Sequence, residues 1–248
     1  MAKNITKFTS ESVCAGHPDK ICDQISDAIV DAVLTQDSLG RVAVETLATK
    51  NHLVMAGEVT ALAKVDYDQI ARREIKRLGY VQDYFDFSDK CQIDVYIHEQ
   101  SPEIGRGVKK NGAGDQGMMF GFACRDTAEF MPMPIALAHA LTRAVDSARE
   151  DRVIPYLRPD GKSQVTIVYE NGMPVAVETV VLGVPHKEDV KLEKVKTDLF
   201  TKVVKPTLKN FGFETKIENL IVNGTGIWHK GGPASDTGVT GRKIVVDG

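Results

Sequence analysis

The stretch Ser163–Gly183, "SQVTIVYENGMPVAVETVVLG", decides the fold class. Its two halves are rich in valine, isoleucine and threonine, the residues that favour a pleated, half-buried strand. They flank Asn171-Gly172, a pair that tolerates the positive φ angles a two-residue hairpin turn requires. Working outward, Pro134 to Glu150 reads as a helix, and "MMFGFAC" (118–124) before it reads as a strand. Lys187 to Asn210 reads as mostly helical, with Pro206 expected to end or kink it. "NLIVNGTG" (219–226) supplies a last strand, so the order is β-α-β-β-α-β.

The first hundred residues follow the same order. "KFTSES" (7–12) is an extended entry. Pro18 to Gln36 carries Ile21, Ile25, Ile29 and Val33 at helical spacing, with Pro18 suited to the first turn. Asp23, Asp27 and Asp31 fall on another face and predict a solvated stripe. "RVAVETLAT" (41–49) and "LVMAGEVT" (53–60) form a second hairpin. Asp66 and Gln69 resemble a capping box opening a helix that ends at Gly79. "QIDVYIHEQ" (92–100) alternates as a strand does. Hairpins with helices on one face predict α+β rather than a doubly wound sheet. The boundaries expected are 1–99 for the first repeat, 100–117 for a connection, and 118–232 for the second repeat. Residues 233–248 would be the first strand of a third repeat, opening at "GRKIVVD".

The 248 residues are 42% hydrophobic and 26% charged, with net charge -3 and a pI near 6.1. That balance argues against a nucleic-acid or membrane-surface protein. Cys14, Cys22, Cys91 and Cys124 are scattered without metal-site spacing and read as reduced thiols. With no apolar leader and no run of membrane length, the expectation is a soluble cytoplasmic protein.

Three glycine-aspartate turns, "CAGHPDK", "NGAGDQG" and "GGPASDTG", are read as introducing the three repeats. Gly112–Gly117 fits G-x-G-x-x-G in form, but no strand precedes it and no helix follows, which rules out the dinucleotide fingerprint. "DGKS" (160–163) lacks the upstream glycine of a P-loop, where Tyr156 stands. In "GHPDK", His17, Asp19 and Lys20 open a helix, whose N-terminus favours anions. Lys20 there suits a phosphate and Asp19 a hard cation, or the stretch simply starts the helix. Lys162 and Arg242-Lys243 read as solvated cations singly, and with Lys20 as a polyphosphate clamp. Glu45 and Glu58 lie in otherwise apolar strands, where a charge needs a partner unless it faces outward. His52, His98, His139 and His186 read as surface or satisfied residues. Met118-Met119, Met131 and Met133 read as core filling.

"FTSESVCAGHPDKICDQISDA", "QSPEIGRG", "GAGDQGMMFG", "LRPDGKSQVT" and "GGPASDTGVTGRKIVVD" together resemble the S-adenosylmethionine synthetase (methionine adenosyltransferase) family, in its order and at its spacings. The resemblance implies three similar α+β domains about a pseudo-threefold axis, the third only begun here. It implies that methionine sulfur attacks C5′ of ATP and expels triphosphate, which is hydrolysed to phosphate and pyrophosphate, with Mg2+ and K+ as cofactors. It places His17, Lys20, Lys162, Arg242 and Lys243 on the triphosphate as catalytic residues. Asp160, with Gly161, would hold the ribose. Asp236 would sit between the substrates, and Glu58, Gln100 and Asp115 would bind methionine. Asp19 would hold magnesium and Glu45 potassium, while 100–110 would be a gating loop. A homodimer or dimer of dimers is implied, with no nucleic acid or membrane partner. Two positions depart from the family: Ile227 stands for an arginine and Trp228 for an adenine-stacking phenylalanine.

Overall fold

The structure, a computed structural model, describes residues 4–99 and 117–247. Strand β1 (Ile5–Val13), helix α1 (Pro18–Gln36), β2 (Arg41–Thr49), β3 (His52–Thr60), α2 (Tyr67–Arg77) and β4 (Gln92–His98) form the first run. The second holds α3 (Met133–Glu150), β5 (Lys162–Glu170), β6 (Met173–Gly183), α4 (Leu192–Leu199), α5 (Lys205–Asn210) and β7 (Leu220–Val222). After these come β8 (Gly238–Val239) and α6 (Ile244–Asp247).

Local chemistry accounts for most element ends. Asp66 caps α2 by accepting from the Gln69 N–H at 3.0 Å, and Gly79 follows at φ +97. Asn171 and Gly172 both take positive φ, as the β5–β6 turn demands. Pro206 does not end the helical run. A π-helical segment, Phe200–Val204, joins α4 to α5, and such wide turns absorb a local break in the bonding ladder. In α1, Ile21, Ile25, Ile29 and Val33 are fully buried, on the face that the four-residue spacing predicts.

Two four-stranded mixed sheets result, ordered β4-β3-β2-β8 and β1-β5-β6-β7. Each contains an antiparallel hairpin followed by a parallel strand. Each has its own apolar core, one under α1 and α2 and the other under α3, α4 and α5.

Three expectations fail. The strand opening the first run does not join the sheet of that run, and a strand that follows the second run takes that place. β1 pairs antiparallel with β5 in the second sheet, and β8 pairs antiparallel with β2 in the first. Strand order thus tracks the neighbour's hairpin, which no local pattern encodes. Residues 118–124 form no strand, since no described strand lies beside them. Residues 244–247, read as extended, make a helical turn with Val246 and Asp247 N–H groups on the Lys243 carbonyl. The ladder with β2 stops at Val239, and Gly241 at φ +74 turns the chain away from it.

Candidate functional site

Three of the quoted stretches converge where the two sheets meet. The first is the start of α1. His17 is its N-cap, and the Asp19 N–H donates to His17 Nδ1 at 3.2 Å. That leaves Nε2 as the protonated nitrogen of a neutral ring. His17 is 1% exposed, and its Nε2 is buried without a partner. Burial, helped by the ammonium groups of Lys243 and Lys162, pushes the imidazole down to about 3. The site therefore presents one buried, unused N–H donor amid cations, an arrangement that lacks only an anion.

The second stretch is the turn into β5. The Cys14 N–H donates to the Gly161 carbonyl at 2.9 Å, which places Lys162, the first residue of β5, beside "GHPDK". Space between the two stretches is minimal. A Cβ on Gly16 would sit 2.3 Å from the Pro159 carbonyl oxygen. The Tyr80 hydroxyl clamps the same glycine by donating to its carbonyl at 2.6 Å. Asp160 is 3% exposed, and its oxygens accept from Gly161 N–H at 2.7 Å and Gly232 N–H at 2.8 Å. Burial pushes this carboxyl up to about 6, against those two donors. Asp160 thus latches the loops together rather than projecting a free carboxylate.

The third stretch runs from Gly231 to Lys243. Asp19 accepts from the Val239 N–H at 2.9 Å and from Lys243 Nζ at 2.6 Å. Burial opposes the Asp19 charge, but Lys243 and the Val239 amide outweigh it and hold the carboxyl below its ordinary value. A Cβ on Gly238 would lie 2.2 Å from the Pro18 carbonyl, so only glycine lets β8 lie against the start of α1. Lys20 pairs with Asp247 at 2.8 Å and Asp23 at 3.1 Å. Burial opposes its charge too, yet those carboxylates raise it above the ordinary lysine value. Trp228 packs near Gly183, 3.5 Å from where its Cβ would be, and Gly183 is the ladder partner of Lys162. Ile227 is 70% exposed. Asp236 and Arg242 lie exposed on this segment.

Other candidate residues are not gathered here. Glu45 and Glu58 lie on the sheet face opposite Thr46, which meets Ser26 of α1 at 3.0 Å. Both are thus outward strand carboxylates, and Glu58 meets His98 at 3.4 Å. Gln100, Asp115 and the expected gating loop lie outside the described residues. Among the described residues, no group of three or more His, Cys, Asp or Glu side chains could hold a metal, and no helix is long and apolar enough to cross a membrane.

Three expectations from the sequence need correcting at this site. The first and third glycine turns do not occupy equivalent places: "CAGHPDK" follows β1, whereas "GGPASDTG" precedes β8. Asp23 is no solvated stripe residue, because it accepts from the Gly241 N–H at 2.8 Å. His186 is likewise no surface residue, being fully buried with Nε2 unpartnered. Tyr80 and Asp23 act across long sequence separations, and no spacing in the chain announces either.

The buried His17 predicts a specific pH response. Unfolded, the ring titrates near its ordinary 6.5, so its contribution to stability is full above that pH and is lost as pH falls toward about 3. His17→Gln removes this linkage. Urea unfolding should show the variant losing about 2 kcal/mol less than the parent between about pH 7 and pH 5. Equal losses in both proteins would show that His17 titrates in the folded state as it does in the unfolded chain.

A fold of two α+β units with a buried cationic corner at their junction is the class that the geometry defines. The profile of the S-adenosylmethionine synthetase N-terminal domain matches residues 5–102, and that of the central domain matches residues 110–228. The S-adenosylmethionine synthase of Desulforudis audaxviator is 47% identical over 262 aligned positions, covering 100% of this chain and 66% of that relative. That of Salinispora tropica is 48% identical, covering 97% of this chain and 65% of its own length. The chain belongs to the S-adenosylmethionine synthetase family, and it spans about two thirds of the length of these relatives.

Proposed function

We propose that the chain contributes to methionine adenosyltransfer: S-adenosylmethionine formed from ATP and L-methionine, with release of phosphate and pyrophosphate. The carrying observation is the partnerless, buried His17 Nε2–H, next to Lys162 and Lys243. In this reaction the sulfur lone pair forms the bond to C5′, and the electrons of the breaking C5′–O bond go to the triphosphate. Donors fixed where that charge develops favour the transition state. His17 supplies a neutral N–H. Lys162, Lys243 and Arg242 supply cations, and Lys20 joins them if it leaves Asp247.

Trp228 would stack on the adenine beside the exposed Ile227, and Asp236 would lie between the substrates. Asp160 and Gly161 would shape the ribose edge through the latch to Gly232. Glu58, Gln100 and Asp115 would complete a methionine site. Asp19 is the residue that would hold magnesium, its oxygens being at present on Val239 and Lys243. A magnesium ion supplies charge neutralisation to a polyphosphate. Glu45 alone on an open face does not make a potassium site, and no step is assigned to that ion. Exposed Leu47 and Tyr96 share this face, which supports a homodimer covering it, with dimers pairing further.

The test is to incubate the purified chain with ATP, methionine, magnesium and potassium. S-adenosylmethionine and phosphate formed together support the reading, whether from the chain alone or after addition of the relatives' remaining third. Phosphate release independent of methionine would point to another ATP-using reaction. No product in either case would leave a binding or assembly subunit.

A further inference from the structure

Tyr80 stands just past the end of α2 and is 1% exposed. Its place is fixed on several sides. The backbone N–H donates to the Ile75 carbonyl at 3.2 Å, and the carbonyl accepts from the Asp89 N–H at 3.1 Å. The ring meets Phe85 and Phe87 edge to face, at centroid distances of 5.3 and 5.7 Å. A ring packed in this way leaves little freedom to the hydroxyl at its tip.

That hydroxyl reaches two of the three stretches that form the cationic corner. It donates to the Gly16 carbonyl at 2.6 Å. A Cβ on Gly232 would lie 2.5 Å from the same oxygen, so the loop carrying Gly232 also rests on it. The Gly232 N–H in turn holds Asp160 at 2.8 Å. Burial pushes the phenol well above its ordinary value, and the Asp160 charge adds to the effect. The group is therefore an un-ionised donor.

The Gly16–His17 peptide unit is planar, so whatever holds its two polar groups sets the direction in which His17 projects. The His17 N–H donates to the Cys14 carbonyl at 3.0 Å. The Gly16 carbonyl is held by Tyr80, and no backbone N–H shares it among the described residues. The imidazole is then oriented by the Asp19 N–H on Nδ1. Without the phenol the peptide keeps one of its two tethers, and the buried carbonyl is left unpaired.

We propose that Tyr80 is a positioning residue: its hydroxyl, through the Gly16 carbonyl, fixes the peptide plane from which His17 aims Nε2–H at a polyphosphate. This rests on the adenosyltransfer reading for the anion, but not for the geometry. Buried against both glycines, Tyr80 acts on the anion only through them.

The test is Tyr80→Phe, which keeps the ring and removes the hydroxyl, read by proton–nitrogen NMR of the full chain. Trimethylamine N-oxide, which favours burial, is added to keep parent and variant folded in the same buffer. Exchange of the His17 Nε2–H with water should speed by at least about 10-fold more than that of the Ile25 and Ile29 amides of α1, which report the unit as a whole. Equal speeding would overturn the inference, because the hydroxyl would then support the unit and not His17 in particular. An unchanged Nε2–H, or a variant unfolded even in the osmolyte, would overturn it too. A double-mutant cycle with His17→Asn, which keeps a capping acceptor and loses the Nε2 donor, gives a second readout. With tripolyphosphate as the probe, Tyr80→Phe should weaken binding by about 10-fold in the parent and by less than about 2-fold in the His17→Asn background. Additive losses would assign Tyr80 a purely structural role. A parent that binds no tripolyphosphate would defeat the adenosyltransfer reading, and the exchange rates would still decide the role of Tyr80.

Discussion

Gly16→Ala should lower the melting temperature by roughly 6–12 °C and abolish polyphosphate binding. The reason is the place of the added methyl, 2.3 Å from the Pro159 carbonyl oxygen and 2.6 Å from its carbon. Backbone cannot swing aside as a side-chain tip can. The start of α1 must part from the Pro159–Lys162 turn, breaking the Cys14–Gly161 hydrogen bond and straining the Tyr80–Gly16 contact. Overpacking of this kind costs about 3 kcal/mol, and in a chain of this size each kcal/mol shifts Tm by about 2–4 °C. Differential scanning calorimetry measures this. A variant melting within a degree or so of the parent would mean that the two stretches are not held at this spacing.

The second large effect concerns the Asp19–Lys243 pair. Lys243→Met should weaken tripolyphosphate binding by about 10- to 100-fold, the usual worth of a charge-assisted hydrogen bond. Asp19→Asn should do the reverse in the absence of magnesium. Lys243 would then be released from its 2.6 Å carboxylate partner and become available to a phosphate oxygen. Isothermal titration separates the two variants by sign. If both weaken binding equally, the pair acts as a structural clamp for β8 and not as a cation held ready for an anion. The Asn variant keeps an acceptor for the Val239 N–H, so loss of β8 does not confuse the outcome.

Much of the fold was legible in the sequence because local rules govern it. The spacing of Ile21, Ile25 and Ile29, the cap at Asp66 and the Asn171-Gly172 turn each describe neighbours within a few residues. The strand exchange was not legible. Whether β1 lies on its own hairpin or on the next depends on contacts 149 to 165 residues away, and a period-2 pattern is the same in either place. For the same reason "IVVD" read as a strand: its apolar run fits either state, and the absence of a ladder partner decides.

The site divides in the same way. His17, Lys20 and Lys162 were visible as polar residues beside glycines at element starts, where loops carry function. What spacing could not show was their condition in the fold. Asp160 is a buried latch, Asp19 is held by Lys243, and His17 is the group left with an unused donor. Glu45 and Glu58 looked anomalous in apolar strands, yet they face outward on a sheet whose other side carries the core.

The central claim is that His17 is neutral and offers Nε2–H to a polyphosphate. Nitrogen-15 NMR of the imidazole at about pH 7, with and without tripolyphosphate, tests it directly. The expected spectrum shows a neutral ring protonated on Nε2, whose resonance shifts saturably with tripolyphosphate and fails to shift in Lys243→Met. A cationic ring at that pH, or an Nε2 resonance indifferent to tripolyphosphate, would contradict the account.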